Sequence, residues 1–154
     1  MTVRVQTEDF DIGAEILKLR QGNAGIGAIA SFVGLVRDLN ENTAVTEMVL
    51  EHYPGMTEKA LAEIAEEAKR RWNLINALVI HRVGPLRPTD QIVLVATSCA
   101  HRHDAFAACE FIMDYLKTRA PFWKKEQTAK GAHWVDARES DETATQRWMQ
   151  HQTN

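Results

Sequence analysis

The chain has 154 residues, with 18 Lys and Arg against 21 Asp and Glu, a net charge of −3 and a hydrophobic content of 45%. A chain this long buries roughly 68–70% of its unfolded surface, so it needs neither disulfides nor a structural metal. The slight acidity excludes the basic footprint of bulk nucleic-acid binding, and two cysteines, Cys99 and Cys109, give no disulfide framework and suit a reducing compartment.

In chain order, the opening MTVRVQTEDFDIG has no apolar core of signal-peptide length, and no later run reaches a membrane span, so a cytoplasmic location is expected. Val3 and Val5 alternate with polar residues and predict a short strand. Asp9 or Asp11 caps a helix carrying Ile12, Ile16, Leu17 and Leu19, ending near Gly22. GIGAIASFVGLV reads as a buried strand over 25–36, in which Gly27 and Gly34 mark a bulge or a close backbone approach. A polar loop over 37–44 precedes a strand led by Val45, Met48 and Leu50 and running through His52 and Tyr53. Pro54-Gly55 turns the chain, and Thr57 caps a helix over 58–72 whose stripe is Leu61, Ile64, Ala65, Ala68 and Trp72. A strand over 77–83 is stopped by Gly84-Pro85, and another covers 91–97. The next helix has Ala105, Ala108, Cys109, Ile112 and Leu116 as its core stripe. Beyond Pro121, FWKKEQTAKGAHWV predicts two strands around Lys130-Gly131, and 139–154 is a polar tail apart from Trp148 and Met149. Short strands and hairpin-like connections predict an α+β class, helices packed on a mostly antiparallel sheet, as one domain over 1–154.

The stretch HRHDAFAACEFIMDYLKTRAPFWKKE, 101–126, carries the most chemistry. His101 and Arg102 stand where a strand ends and a helix begins, a place whose free amides and dipole attract phosphate. The plain alternative is a capped helix start with solvated basic residues. Lys117 lies beside the core stripe near the helix end, and Lys124 follows the proline break, so two amines would converge beside His101 and Arg102. A free lysine has a pKa near ~10.4, and burial against Phe122 and Trp123 with other cations nearby would lower it enough for proton transfer or attack. The same lysines also fit ordinary roles, one complementing the helix dipole and one guarding an edge strand. Arg37 either grips an anion or pairs with Asp38. Cys99, His101, His103 and Cys109 match no zinc spacing, so no metal and no cofactor are expected. His52 and His81 sit in strand patterns and read as structural.

Five blocks in order, GAIASFVGLVRD, LEHYPGM, HRVGPL, SCAHRHDAF and DYLKTRAPFWKKE, resemble the large, catalytic subunits of bacterial molybdopterin synthase, the MoaE-type family, over about residues 3–141. The resemblance implies an α/β-hammerhead-like fold with a small extra antiparallel β subdomain. It implies sulfur transfer from the C-terminal thiocarboxylate of a small ubiquitin-like carrier subunit to cyclic pyranopterin monophosphate, forming the dithiolene of molybdopterin. It also implies a heterotetramer with a central homodimer of large subunits. Carried over by position, Lys117 and Lys124 match catalytic lysines. Arg37, His101 and Arg102 match precursor-binding positions, and Arg138 matches an arginine reaching in from the neighbouring subunit. Phe32, Met113, Pro121 and Glu126 match positions lining the carrier-tail channel or pocket. Two other classes compete with this sulfurtransferase reading. One is a non-catalytic dimeric module binding a phosphorylated metabolite or a ubiquitin-like tail; the other is a zinc- or cysteine-dependent hydrolase.

Overall fold

The computed structural model describes residues 1–40, 42–135 and 139–149. Its first sheet has the order β1 (Thr2–Gln6), β5 (Asn76–Arg82), β7 (Gln91–Cys99), β2 (Ala28–Leu35), with β1 parallel to β5 and the other pairs antiparallel. Alternation along the central strands feeds two cores. Val79, Val93 and Val95 face helices α2 (Met56–Trp72) and α3 (Arg102–Arg119), while Leu78, Ile80 and Leu94 face α1 (Ile12–Arg20). Both faces of this sheet are thus covered, which is why β5 and β7 read as unbroken apolar runs.

The second sheet is built on β4 (Thr43–His52), which pairs along its length with β8 (Phe122–Thr128), itself paired with β9 (Gly131–Val135). The short strands β3 (Leu39–Asn40) and β6 (Gly84–Leu86) also pair with β4. Only Val83 separates β5 from β6, so the chain passes directly from the first sheet to the second. A third small core, Val36, Met48, Leu50, Val83 and Leu86, fills the junction. The α+β class with a mostly antiparallel sheet and an added antiparallel unit is the observed architecture.

Local signals explain the element starts. Asp11 is the α1 cap, its Oδ1 accepting from the Ala14 amide at 2.9 Å. Helix α2 begins at Met56, with Glu58 accepting from the Gly55 amide at 2.5 Å. Thr57 is therefore not the cap. Its buried hydroxyl accepts from the Tyr53 amide at 3.0 Å and donates to the Pro121 carbonyl at 2.9 Å, tying α2 to the break that opens β8. Gly84-Pro85, expected to end a strand, itself forms β6, and Pro85 is tolerated because β6 pairs on one side only.

The polar tail expectation also changes. Residues Glu139–Met149 form helix α4, which docks on α3. Trp148 donates Nε1–H to Asp114 Oδ2 at 2.6 Å and meets Trp72 and Phe111 edge-on, and Arg147 pairs with Glu110 at 2.6 Å. The Glu110 carboxylate, with Asp114 beside it, raises the Arg147 pKa, as expected of a cation held by two anions. Among the described residues no helix is long and apolar enough to cross a membrane.

Both glycines singled out in the second strand mark close approaches. A Cβ on Gly27 would stand 2.1 Å from the Ala100 carbonyl oxygen, and one on Gly34 would stand 2.8 Å from Val93 Cγ1, next to the register shift at Gly34/Leu35. Gly27→Ala is expected to lower unfolding free energy by about 2–3 kcal/mol, because the methyl must displace backbone. Gly13→Ala meets nothing closer than Asp11 Oδ1 at 3.4 Å and should leave stability unchanged or slightly raised. Urea unfolding of the two variants measures the contrast.

Candidate functional site

Where the two sheets and the end of α3 meet, the fold leaves a cavity of about 410 Å³. Each element contributes by simple periodicity. On β8 the alternate residues Phe122, Lys124 and Glu126 face the cavity while Trp123 and Lys125 face away, with Lys124 opposite Leu50 and Glu126 opposite Met48 on β4. Helix α3 supplies Leu116 and Lys117, the turn after β2 supplies Arg37, and α4 supplies Asp141. The floor is the apolar junction of Val36, Met48, Leu50 and Ile92. This is a cavity with an apolar floor and a rim of three cations and two carboxylates, a form suited to an organic molecule bearing an anionic group.

A buried carboxylate organises one wall. Glu126 is 4% exposed; its Oε1 accepts from Asn40 Nδ2 at 3.0 Å and lies 3.9 Å from Lys124 Nζ. Asn40, absent from the sequence expectation, thus shares with Lys124 the satisfaction of that charge. Lys117 differs: no hydrogen bond or ion pair to another described residue holds its amine.

His81 was expected to be structural, yet it lines this cavity. It is 5% exposed, stacked on Phe122 with ring centroids 3.8 Å apart, and its Nδ1 lies 2.8 Å from the Arg82 carbonyl oxygen. Burial pushes its pKa down to about 4, with the positive charge of Lys117 adding to the effect. The signal in the sequence was its register: as a polar residue two positions beyond Val79, it lies on the face of β5 turned toward α2 and α3.

The other expected residues fall as follows. Met113 is buried in the main core, 8% exposed. Pro121 is half-buried and accepts the Thr57 hydroxyl through its carbonyl. Phe32 is 44% exposed on β2, the edge strand of the first sheet, outside the cavity lining. Arg138 lies outside the described residues. His101 and Arg102 do not meet the lysines within one chain. Helix α3 is continuous, and the fifteen positions from Arg102 to Lys117 span about 22 Å of axis. The expected convergence of the two amines with these residues overlooked that rise. Cys99 donates to the His101 carbonyl at 2.8 Å, and Cys109 faces the core, where burial pushes its thiol up to about 12.

A second hollow, between α2 and α3, is lined by Glu63, Glu67, Arg70, Arg71 and Arg119. Its arginines and Glu67 are already engaged. Arg71 and Arg70 hold the Glu67 carboxyl below its ordinary pKa, and Arg119 stacks on Tyr115. The lysine cavity, with its uncommitted amine, is the candidate site.

Fold and cavity together make this an α+β protein with a candidate anion site at the junction of two sheets. The model of the MoaE protein family matches residues 5–119, and the chain belongs to that family. It is 69% identical over 147 residues to a molybdopterin synthase catalytic subunit of Ralstonia nicotianae, covering 96% of this chain and 84% of that one. Against the Escherichia coli catalytic subunit the identity is 54% over 144 residues, 94% of this chain and 95% of that one. The fold matches a molybdopterin biosynthesis MoaE protein from Burkholderia ambifaria, with a TM-score of 0.83 at 62% identity, covering 96% and 97% of the two chains. It also matches a molybdopterin synthase from Staphylococcus aureus, with a TM-score of 0.79 at 32% identity, covering 86% and 96%.

His81 gives stability a pH dependence. Unfolded, it takes up a proton near ~6.5; folded, it does so only at about 4. Between those values the unfolded chain binds more protons, so acid favours unfolding, and above about pH 7 the effect vanishes. A loss of about 3 kcal/mol from this residue is expected between pH 7 and 4. Urea titrations at several pH values should show a shallower acid limb in His81→Gln.

Proposed function

We propose that this chain is the catalytic subunit of a molybdopterin synthase, a sulfurtransferase of molybdenum cofactor biosynthesis working in the cytoplasm. Its substrate is cyclic pyranopterin monophosphate, and its sulfur donor is the thiocarboxylate tail of a small ubiquitin-like carrier subunit. The observation that carries the reading is the uncommitted Lys117 amine lining one cavity with Lys124 above an apolar floor. In such a basin the amine is poised to pass protons or to attack the tail's acyl carbon. Each sulfur handed to the pterin leaves the carrier's acyl carbon to be returned as a carboxylate, with oxygen supplied by water. Lys124 and Arg37 draw the substrate's negative charge, and Glu126 holds Lys124 in place. Phe32, Met113 and Pro121 belong to the approach of the tail. A purely binding module is disfavoured by the relatives, which are named as catalytic subunits.

The length of α3 bears on assembly. His101 and Arg102, with Arg138, serve the precursor from a second copy of the chain, so that the two ends of one helix work in two different sites of a homodimer. Carriers at both ends complete a heterotetramer.

Lys117→Ala is expected to abolish product formation with thiocarboxylated carrier and precursor, while its circular dichroism and carrier binding match the unaltered chain. Full activity in that variant would remove Lys117 from the chemistry. Lys117→Ala and Arg102→Ala chains should each be inactive alone, whereas an equal mixture refolded together should regain about a quarter of normal activity, because half the dimers then hold one intact site. No recovery on mixing would place both residues in a single-chain site.

A further inference from the structure

The position of His81 relative to Lys117 follows from how α3 lies on the first sheet. Thr97 Oγ1 donates to the Ala105 carbonyl at 2.7 Å, and Cys109 Sγ lies 3.7 Å from the Val95 carbonyl. Four helix residues therefore advance with two strand residues, which the rises of about 6 Å and about 6.6 Å allow. Continued one step, the match sets Met113 over Val93, and Lys117 falls just beyond. Val93 is the register partner of His81 on β5. His81 and Lys117 both line the cavity, and the lysine's charge acts on the imidazole.

The imidazole's hydrogen-bonding state is fixed by the backbone. A carbonyl oxygen only accepts, so the 2.8 Å contact with Arg82 assigns the proton to Nδ1 and leaves Nε2 as a lone pair. Stacking on Phe122 holds the ring plane. Among the described residues Nε2 has no hydrogen-bond partner, and neither has the Lys117 amine. An unfilled acceptor and an unfilled three-proton donor thus line the same cavity.

We propose that His81 is a positioning residue for Lys117, its Nε2 accepting a hydrogen bond from the lysine amine and aiming it at the reacting acyl carbon. The Arg82 carbonyl sets the tautomer, Phe122 sets the ring plane, and the imidazole sets the amine. A neutral acceptor suits this task better than a carboxylate, because it directs the amine without forming an ion pair that would hold it protonated. The inference rests on the sulfur-transfer reading for its consequence in turnover, but the contact itself can be tested in the chain alone.

The experiment has two arms. In the first, side-chain nitrogen NMR of the labelled full-length chain should show His81 protonated on Nδ1 and bare on Nε2. Lys117→Met should shift the Nε2 resonance and raise the protonation midpoint of His81, whose other charged influence is His52. A proton on Nε2, or no response to Lys117→Met, overturns the proposal. In the second arm, product formation with thiocarboxylated carrier and precursor is compared in three variants. His81→Gln keeps an acceptor near the Nε2 position, His81→Asn keeps only a donor near Nδ1, and His81→Phe keeps the stacking ring alone. Loss of a hydrogen bond to a charged group predicts a kcat lower by about 10- to 100-fold in the Asn and Phe variants, with KM within about twofold. The Gln variant should stay within about fivefold of the unaltered chain. Equal losses in folded Gln and Phe variants, or an effect confined to KM, overturn it. If the unaltered chain makes no product, the sulfur-transfer reading fails, while the NMR arm still decides whether His81 holds Lys117.

Discussion

Helix α3 is fastened to β7 through the buried hydroxyl of Thr97 and, more weakly, the thiol of Cys109, and the placing of the candidate site depends on that seam. Buried polar groups of this kind are costly to leave unpaired, so each fixes a register as well as adding stability. The helix cannot slide by a turn without stranding the Thr97 hydroxyl. At the start of the seam Gly27 lets β2 pass within contact of the Ala100 carbonyl, which leaves α3 room to begin directly after β7. At its far end the seam delivers Lys117 to the junction of the two sheets.

The second sheet meets that end through a different device. Thr57 joins the start of α2 to the Pro121 carbonyl, fixing where β8 begins. Pairing with β4 then sets which face Lys124 takes, since a slip of one residue would exchange it for Trp123 or Lys125. Position along α3 and face on β8 are set independently. Their coincidence in one cavity is tertiary information held in two separate hydrogen bonds.

This explains what could be read from the chain beforehand. The α+β class, the Asp11 cap, the α2 stripe and the two strands around Lys130-Gly131 all follow from local signals and were legible. Helix α4 was not, because its sequence is polar and its docking comes from Trp148 and Arg147 finding Asp114 and Glu110 on α3. Strand β6 was hidden by Pro85, which reads as a breaker unless the strand is known to pair on one side only. Lys117, Lys124 and Arg37 were nameable from the resemblance. Asn40 and His81 came into the site only once β4 and β5 were placed, and the separation of Arg102 from Lys117 needed only the rise of one helix.

Charge balance bears on the proposed reading that two chains share one anion site. Among the described lining residues Arg37, Lys117 and Lys124 face the carboxylates of Glu126 and Asp141, and His81 is neutral at ordinary pH, which leaves a single net positive charge. A cyclic monophosphate is a diester with a single negative charge, and of the cations that could meet it Lys124 is already shared with Glu126. One chain thus matches that charge in number, and in the proposed reading Arg37 and Lys117 are the donors left to the phosphate oxygens. Further donors stand in this same chain at the distal end of α3, where His101 and Arg102 are exposed beside the helix start. They are too far along the axis to turn back on their own cavity but are free to meet another copy. In the proposed dimer the cations at one end of α3 would add directed donors to the site at the other end of a second copy, without a new residue.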